Sequence, residues 1–162
     1  MTEDRCVDYE SLAAQLEALL HDESDALANS ANFVGLVYNA LPDINWLGIY
    51  VMRGEELVLG PYQGNPACVR IPIGQGVCGT AARDRKTMRV ADVHEFDGHI
   101  VCDPASRSEV VVPLVAGGRV LGVLDIDSPL PARFSGQDQR GVESLCEVFI
   151  KSIGDLATDE FI

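Results

Sequence analysis

Two β-prone runs joined by paired glycines constrain the fold of this chain more than any other feature. The runs cover residues 109–115 and 119–127, and Gly117-Gly118 lies between them. A short glycine turn between apolar runs indicates an antiparallel β-hairpin. Residues 46–52 and 56–62 predict a second hairpin in the same way. We therefore expect a mostly antiparallel sheet.

Helical periodicity marks both ends of the chain. Residues 8–20 and 24–41 repeat apolar side chains every three or four positions, and Pro42 ends the second run. Ser135 followed by Asp138 predicts a capping box at the start of a last helix. Helices that flank hairpin-linked strands indicate an α+β fold, with the terminal helices packed together on one face of the sheet.

The middle of the chain predicts shorter elements. Residues 67–73 and 87–90 are expected to form strands, and residues 77–85 a short helix. Residues 92–107 predict a loop without clear structure. A loop this long in a compact domain is usually functional or disordered, and the presence of Cys102 favours function.

Length and charge limit the possible partners. The 162 residues predict a single domain spanning 1–162. A net charge of −13 argues against nucleic acid and anionic membrane surfaces as partners. The sequence contains no apolar run long enough to cross a bilayer and no secretory leader, so a cytoplasmic location is expected.

Five cysteines fall into different contexts. Their odd number and irregular spacing do not fit a secreted disulfide scaffold. Cys146 lies on the apolar face of the last predicted helix, and Cys6 lies in a polar tail. Cys68, Cys78 and Cys102 lie near glycine, proline and charged residues, where reactive thiols are expected.

The sequence context of these thiols admits two other chemistries. The three cysteines with His94 and His99 could supply four zinc ligands, but no C-x-x-C pair is present, so no metal site is expected. Cys102 and His99 could also form a cysteine hydrolase pair, although a spacing of three residues in a loop is weak evidence.

The run Gly74-Gln75-Gly76-Val77-Cys78-Gly79 matches a dinucleotide-binding pattern. The parallel βαβ context that this pattern requires is missing, so a tight strand-to-helix turn is the simpler interpretation. The position of Cys78 near a helix N-terminus would also stabilise a thiolate.

Acidic and aromatic residues alternate along two predicted strands. Asp125 and Asp127 are two residues apart, so both carboxylates lie on one face, as do Trp46 and Tyr50. The carboxylates could form a solvent-facing strand end. Together with Glu109 and a thiol cluster, they could instead bind an ammonium group or act as an acid. The two aromatic residues fit either a core or a pocket wall.

Several motifs together resemble the free methionine-(R)-sulfoxide reductases, which are stand-alone GAF-domain enzymes. The resemblance runs from about residue 45 to residue 143. It rests on GPYQG at 60–64, RIP at 70–72, GVCGTA at 76–81, DGHI at 97–100, SRSEV at 106–110 and GVLDIDS at 122–128. Val101 departs from the family, which would have alanine there.

The resemblance implies roles for individual residues. It makes Cys102 the catalytic cysteine and Cys68 and Cys78 the other redox cysteines, with Cys68 favoured as the resolving partner. It assigns the acidic pocket to Glu109, Asp125 and Asp127 and the aromatic wall to Trp46 and Tyr50. Glu109 or Asp127 would protonate the sulfoxide oxygen.

The same resemblance implies an activity. The expected reaction is the thiol-dependent reduction of free methionine sulfoxide through a cysteine sulfenic acid and an intramolecular disulfide, with a thioredoxin-like dithiol as reductant and no cofactor. A homodimer is expected on resemblance alone. The alternatives are a GAF sensory module that binds a small ligand without turnover and a thiol enzyme that reduces peroxides.

Overall fold

The computed structural model describes residues 6–154 and 161–162, which form four α-helices and a six-stranded sheet. The helices are α1 (Tyr9–Leu20), α2 (Ala26–Ala40), α3 (Gly76–Asp84) and α4 (Gly136–Ser152). The strands are β1 (Trp46–Arg53), β2 (Glu56–Gly64), β3 (Arg70–Pro72), β4 (Met88–Val90), β5 (Ser108–Ala116) and β6 (Arg119–Ser128). This confirms the predicted α+β class.

All neighbouring strands of the sheet are antiparallel, in the order β3-β2-β1-β6-β5-β4. Both predicted hairpins, β1–β2 and β5–β6, are present. The β1–β6 pairing joins them and places Trp46 opposite Asp127. On the other side of β6, Glu109 of β5 is also opposite Asp127. The register therefore lines up one aromatic and two acidic positions across three strands.

Helix ends follow the predicted capping signals. The carboxylate of Asp8 accepts a hydrogen bond from the Ser11 N–H and starts α1. Ser135 and Asp138 form the reciprocal capping box of α4. A cap of this kind contributes about 1 kcal/mol.

The alternation of side chains divides the interior into two layers. Leu47, Ile49 and Val51 of β1 point to the face covered by α1, α2 and α4, where the larger core lies. This confirms that the terminal helices pack on one face. Trp46 and Tyr50 point to the opposite face, which is covered by α3 and the loops around it. The smaller layer holds the candidate site.

Two predicted segments differ from the structure. The third strand covers only Arg70–Pro72 rather than residues 67–73, and Cys68 lies outside it, bonded to Cys102 of another loop. The loop at 92–107 contains a short 3-10 helix, Val93–Glu95, because the Asp92 carboxylate accepts a hydrogen bond from the His94 N–H. Among the described helices, none is both long and apolar enough to cross a membrane.

Candidate active site

A small cavity lies between the sheet and α3, on the face away from the three large helices. Its volume is about 40 Å³, room for one or two water molecules. Strands β1, β5 and β6 supply its floor, and α3 and two loops supply its walls. Every predicted site residue except Cys68 lines the cavity: Trp46, Tyr50, Cys78, Cys102, Glu109, Asp125 and Asp127. The other lining residues were not predicted for the site: Ala67, Ile71, Gly76, Val77, His99, Ile100, Asp103 and Ser106.

A disulfide joins Cys68 to Cys102 at the edge of this cavity. The two residues are 34 positions apart, and their Cα atoms are 5.3 Å apart. The bond connects the segment between β2 and β3 to the loop before β5. Both cysteines are partly exposed, so an external thiol can reach them.

Three carboxyl groups meet on the cavity floor. Glu109 and Asp127 are cross-strand partners, and Asp125 lies one pleat away on β6. All three are buried: only 6% of Glu109, 6% of Asp125 and 9% of Asp127 is exposed. Asp125 and Asp127 therefore do not form a solvent-facing strand end. No lysine or arginine is among the residues that line this cavity.

Burial and mutual repulsion favour the protonated form of these acids. Burial, reinforced by the charges of Asp125 and Asp127, raises the pKa of Glu109 well above its usual range. Burial and the charge of Asp125 do the same to the pKa of Asp127. The pKa of Asp125 is also raised by burial, but hydrogen bonds from Glu109 and Cys78 oppose that rise. The hydrogen bond between Glu109 and Asp125 raises the pKa of Glu109 and lowers that of Asp125, which favours the proton on Glu109.

Cys78 lies in the first turn of α3, but its thiol is not a stabilised thiolate. The side chain is buried, and its Sγ is 3.8 Å from Oε1 of Glu109. Burial and the nearby carboxylates raise the pKa of Cys78 well above its usual value. The thiolate expected from the helix N-terminus is thus a wrong prediction, because burial, together with three nearby acidic groups, outweighs the partial charge of a short helix.

The raised pKa of Glu109 makes folding stability depend on pH. The Glu109 carboxyl holds its proton in the folded state and loses it on unfolding. Its contribution to the free energy of unfolding therefore falls as the pH rises above 4.5, the ordinary pKa of a glutamate. We expect Glu109→Gln to remove up to about 1.4 kcal/mol per pH unit from this slope. Urea unfolding between about pH 5 and 8 measures it. Glu147→Gln at an exposed position of α4 should leave the slope unchanged; equal slopes in all three proteins would contradict the prediction.

Aromatic residues form one wall of the cavity. The ring of Trp46 stacks on those of Tyr50 and Tyr62, with centroids 5.8 and 5.4 Å apart. Both predicted wall residues also hold the segment that carries Cys68. The Trp46 indole N–H donates to the carbonyl of Asn65, and the Tyr50 hydroxyl donates to the carbonyl of Cys68.

Gly48 makes this aromatic stack possible. A Cβ at Gly48 would lie 2.4 Å from the Trp46 ring and 2.5 Å from the Cβ of Tyr62. We expect Gly48→Ala to lower the free energy of unfolding by about 1–3 kcal/mol, the usual cost of overpacking. Gly35→Ala is the matched control, since a Cβ there meets nothing within 4 Å. Chemical denaturation measures both; an unchanged stability of Gly48→Ala would contradict the argument.

A polar anchor that the sequence did not predict holds the Cys102 loop. The Asn45 side-chain amide donates to Asp103 Oδ2 and to Ser106 Oγ, each at 3.2 Å. Asn45 directly precedes β1, so these bonds fasten the loop to the sheet. The only available signal was the position of Asp103 next to Cys102.

The structure does not support the dinucleotide-binding and cysteine hydrolase interpretations of these motifs. The glycine run forms a tight turn: a Cβ at Gly79 would lie 2.4 Å from the Pro72 carbonyl oxygen. The antiparallel sheet lacks the setting that a dinucleotide site needs. His99 does line the cavity, but the sulfur of Cys102 is bonded to Cys68, which favours redox chemistry over a hydrolase pair.

Comparison with known proteins identifies the class. The GAF domain family matches residues 11–153. The chain is 50% identical over 137 residues to free methionine-R-sulfoxide reductase of Escherichia coli, covering 85% of this chain and 83% of that protein.

Solved structures agree in fold. The Neisseria meningitidis free methionine-R-sulfoxide reductase in complex with its substrate has 39% identity and a TM-score of 0.88, covering 94% of this chain and 92% of that one. A protein from Burkholderia vietnamiensis described as a GAF sensor has 54% identity and a TM-score of 0.87, covering 91% and 96%.

The fold and the matched residues thus define a GAF domain. Within that class, the chain belongs to the free methionine-(R)-sulfoxide reductase family.

Proposed function

We propose that this chain reduces the R epimer of free methionine sulfoxide to methionine, using an external dithiol. The observation that carries the proposal is the Cys68–Cys102 disulfide at the edge of a cavity with three buried carboxyl groups. Oxidation of the two thiols to this disulfide releases the two electrons that the reduction needs, and the carboxyl groups supply protons and a site for a cation.

The acidic floor favours a free amino acid as substrate. Glu109, Asp125 and Asp127 are buried without a lysine or arginine among the lining residues. A substrate ammonium group would compensate this charge, whereas a peptide amide would leave it unpaired. The methyl sulfoxide end of the substrate would lie against Trp46.

The proposed chemistry begins with reduced Cys102. Its thiolate attacks the sulfoxide sulfur while Glu109 or Asp127 protonates the oxygen. Methionine leaves, and the oxygen remains on Cys102 as a sulfenic acid. The raised pKa of Glu109 suits it to hold this proton at neutral pH.

The second half of the cycle restores the enzyme. The Cys68 thiol condenses with the sulfenic acid, forming the disulfide and releasing water. An external dithiol of the thioredoxin type then reduces the disulfide by thiol exchange and becomes oxidised itself. The partial exposure of both cysteines supports this access. The cytoplasmic location and the homodimer remain predictions.

One experiment separates this function from its alternatives. The purified protein is incubated with an equal mixture of the R and S sulfoxides of free L-methionine and excess dithiol. Chromatography measures the methionine formed and the two sulfoxide epimers that remain. We expect half of the mixture to be reduced, all of it the R epimer. A sensory module would bind without turnover, and a peroxide-reducing enzyme would turn over peroxide but leave both epimers intact.

Recycling gives a separate prediction for Cys68. Pre-reduced Cys68→Ser should form about one methionine per site, because the first reduction needs only Cys102, and should then slow at least about tenfold with thioredoxin. Quenched-flow measurement of methionine separates the two phases. Cys6→Ser, at an exposed position, should cycle normally. A dominant Cys78–Cys102 bridge in oxidised wild-type protein would reverse the assignment.

A further inference from the structure

The same cavity contains three potential metal ligands, and the proposed reaction does not use a metal. Cys78, Glu109 and Asp125 each offer one ligand atom, and these three atoms all lie within 4.8 Å of one another. All three residues are buried. They come from α3, β5 and β6, so regular secondary structure holds each of them in place.

The spacing of these atoms suits a tetrahedral dication. The Cys78 Sγ is 3.8 Å from Glu109 Oε1. A zinc ion about 2.3 Å from sulfur and about 2.0 Å from oxygen places two such ligands roughly 3.5 Å apart. This pair therefore needs a shift of only a few tenths of an ångström to hold an ion, and the ligand atom of Asp125 lies within 4.8 Å of both.

A second observation points to a missing ligand. The Oδ1 atom of Asp125 is buried and has no hydrogen-bond partner. Buried carboxylate oxygens are normally paired, so an oxygen without a partner inside an acidic cluster is open to a cation. None of the described residues that line the cavity is a lysine or arginine, so the wall they form offers no cationic side chain.

We propose that Cys78, Glu109 and Asp125 bind Zn²⁺ reversibly, with the fourth position open toward the cavity, and that the bound ion blocks the substrate ammonium. The thiol and the protonated carboxyl group release their protons when the ion binds. This site differs from the structural zinc site of three cysteines and two histidines described in the sequence analysis, because Cys68 and Cys102 take no part in it. The blocking effect rests on the proposed function, whereas the binding itself does not.

Binding is tested with Co²⁺ as a spectroscopic substitute. The Cys68→Ser/Cys102→Ser double variant keeps Cys78 as the cavity's one thiol. We expect one Co²⁺ per chain with a thiolate-to-cobalt charge-transfer band, and displacement of the cobalt by Zn²⁺. Adding Cys78→Ser should abolish the band, and adding Asp125→Asn should weaken binding at least about tenfold.

Controls keep this test decisive. Cys6→Ser in the double variant removes an exposed thiol away from the cavity and should leave the band intact. Circular dichroism verifies that each variant is folded. If a variant does not fold, Glu109→Gln is used in its place, because it removes another of the three proposed ligands. No cobalt binding, or a band that survives the loss of Cys78, would overturn the proposal.

Inhibition is measured in a single turnover without external thiol, because dithiols bind zinc themselves. Reduced wild-type protein at low substrate should slow at least about tenfold with Zn²⁺, and excess substrate or a chelator should restore the rate. In Cys78→Ser, the ratio of rates with and without zinc should approach one; equal inhibition in both proteins would refute the assignment.

Failure of the chelated wild type to reduce substrate would refute the proposed function alone, since the cobalt titration still decides the metal site.

Discussion

Replacing Cys102 with serine is expected to lower the reduction of free methionine sulfoxide by about 1,000-fold or more. A serine hydroxyl remains protonated at neutral pH and is a much weaker nucleophile toward sulfur than a thiolate. The substitution also prevents the sulfenic acid and the Cys68–Cys102 disulfide from forming. Both halves of the proposed cycle therefore stop together.

Single-turnover kinetics on the pre-reduced variant measure this effect most directly. The matched control is Cys146→Ser, which changes a buried thiol in the helical core on the other face of the sheet. It should lose stability but keep its activity while folded. Substantial single-turnover activity in Cys102→Ser would show that Cys102 does not carry out the first step. Cys78 would then be the candidate for the thiol that attacks the sulfoxide.

Local patterns predicted the scaffold well. The glycine pair between two apolar runs indicated the β5–β6 hairpin, and Ser135 with Asp138 indicated the capping box of α4. These features depend on neighbours within a few residues. The two-residue period likewise placed Asp125 and Asp127 on one face, because the pleat of a strand permits no other arrangement.

Properties that depend on distant neighbours could not be predicted in this way. A helix N-terminus suggested a thiolate at Cys78, but burial of the thiol and the carboxyl groups of β5 and β6 reverse that effect. The hydrogen bonds of Asn45 could not be predicted from local patterns, because its partners, Asp103 and Ser106, lie 58 and 61 residues away. The need for glycine at position 48 became visible only when the Trp46 ring was placed above it.

Substrate choice gives the second large effect. Masking the amine of methionine sulfoxide by acetylation should lower kcat/KM by about 10- to 150-fold, because it removes a charge-assisted hydrogen bond of roughly 1.5–3 kcal/mol. The buried carboxylates would then face a neutral group without compensation. Asp125→Asn and Asp127→Asn should each lower kcat/KM for the free amino acid within the same range, if the interaction is fully present in the transition state.

The combination of substrate and variant shows which carboxylate meets the ammonium. The variant that removes this carboxylate should lose little further activity with the acetylated substrate, since both changes delete one interaction. A residue that only protonates the oxygen should impair both substrates equally. Asp43→Asn, at an exposed position before β1, is the control. Comparable kcat/KM of the wild type on free, acetylated and peptide-bound methionine sulfoxide would rule out recognition of the free amino acid, even with the cysteine chemistry intact.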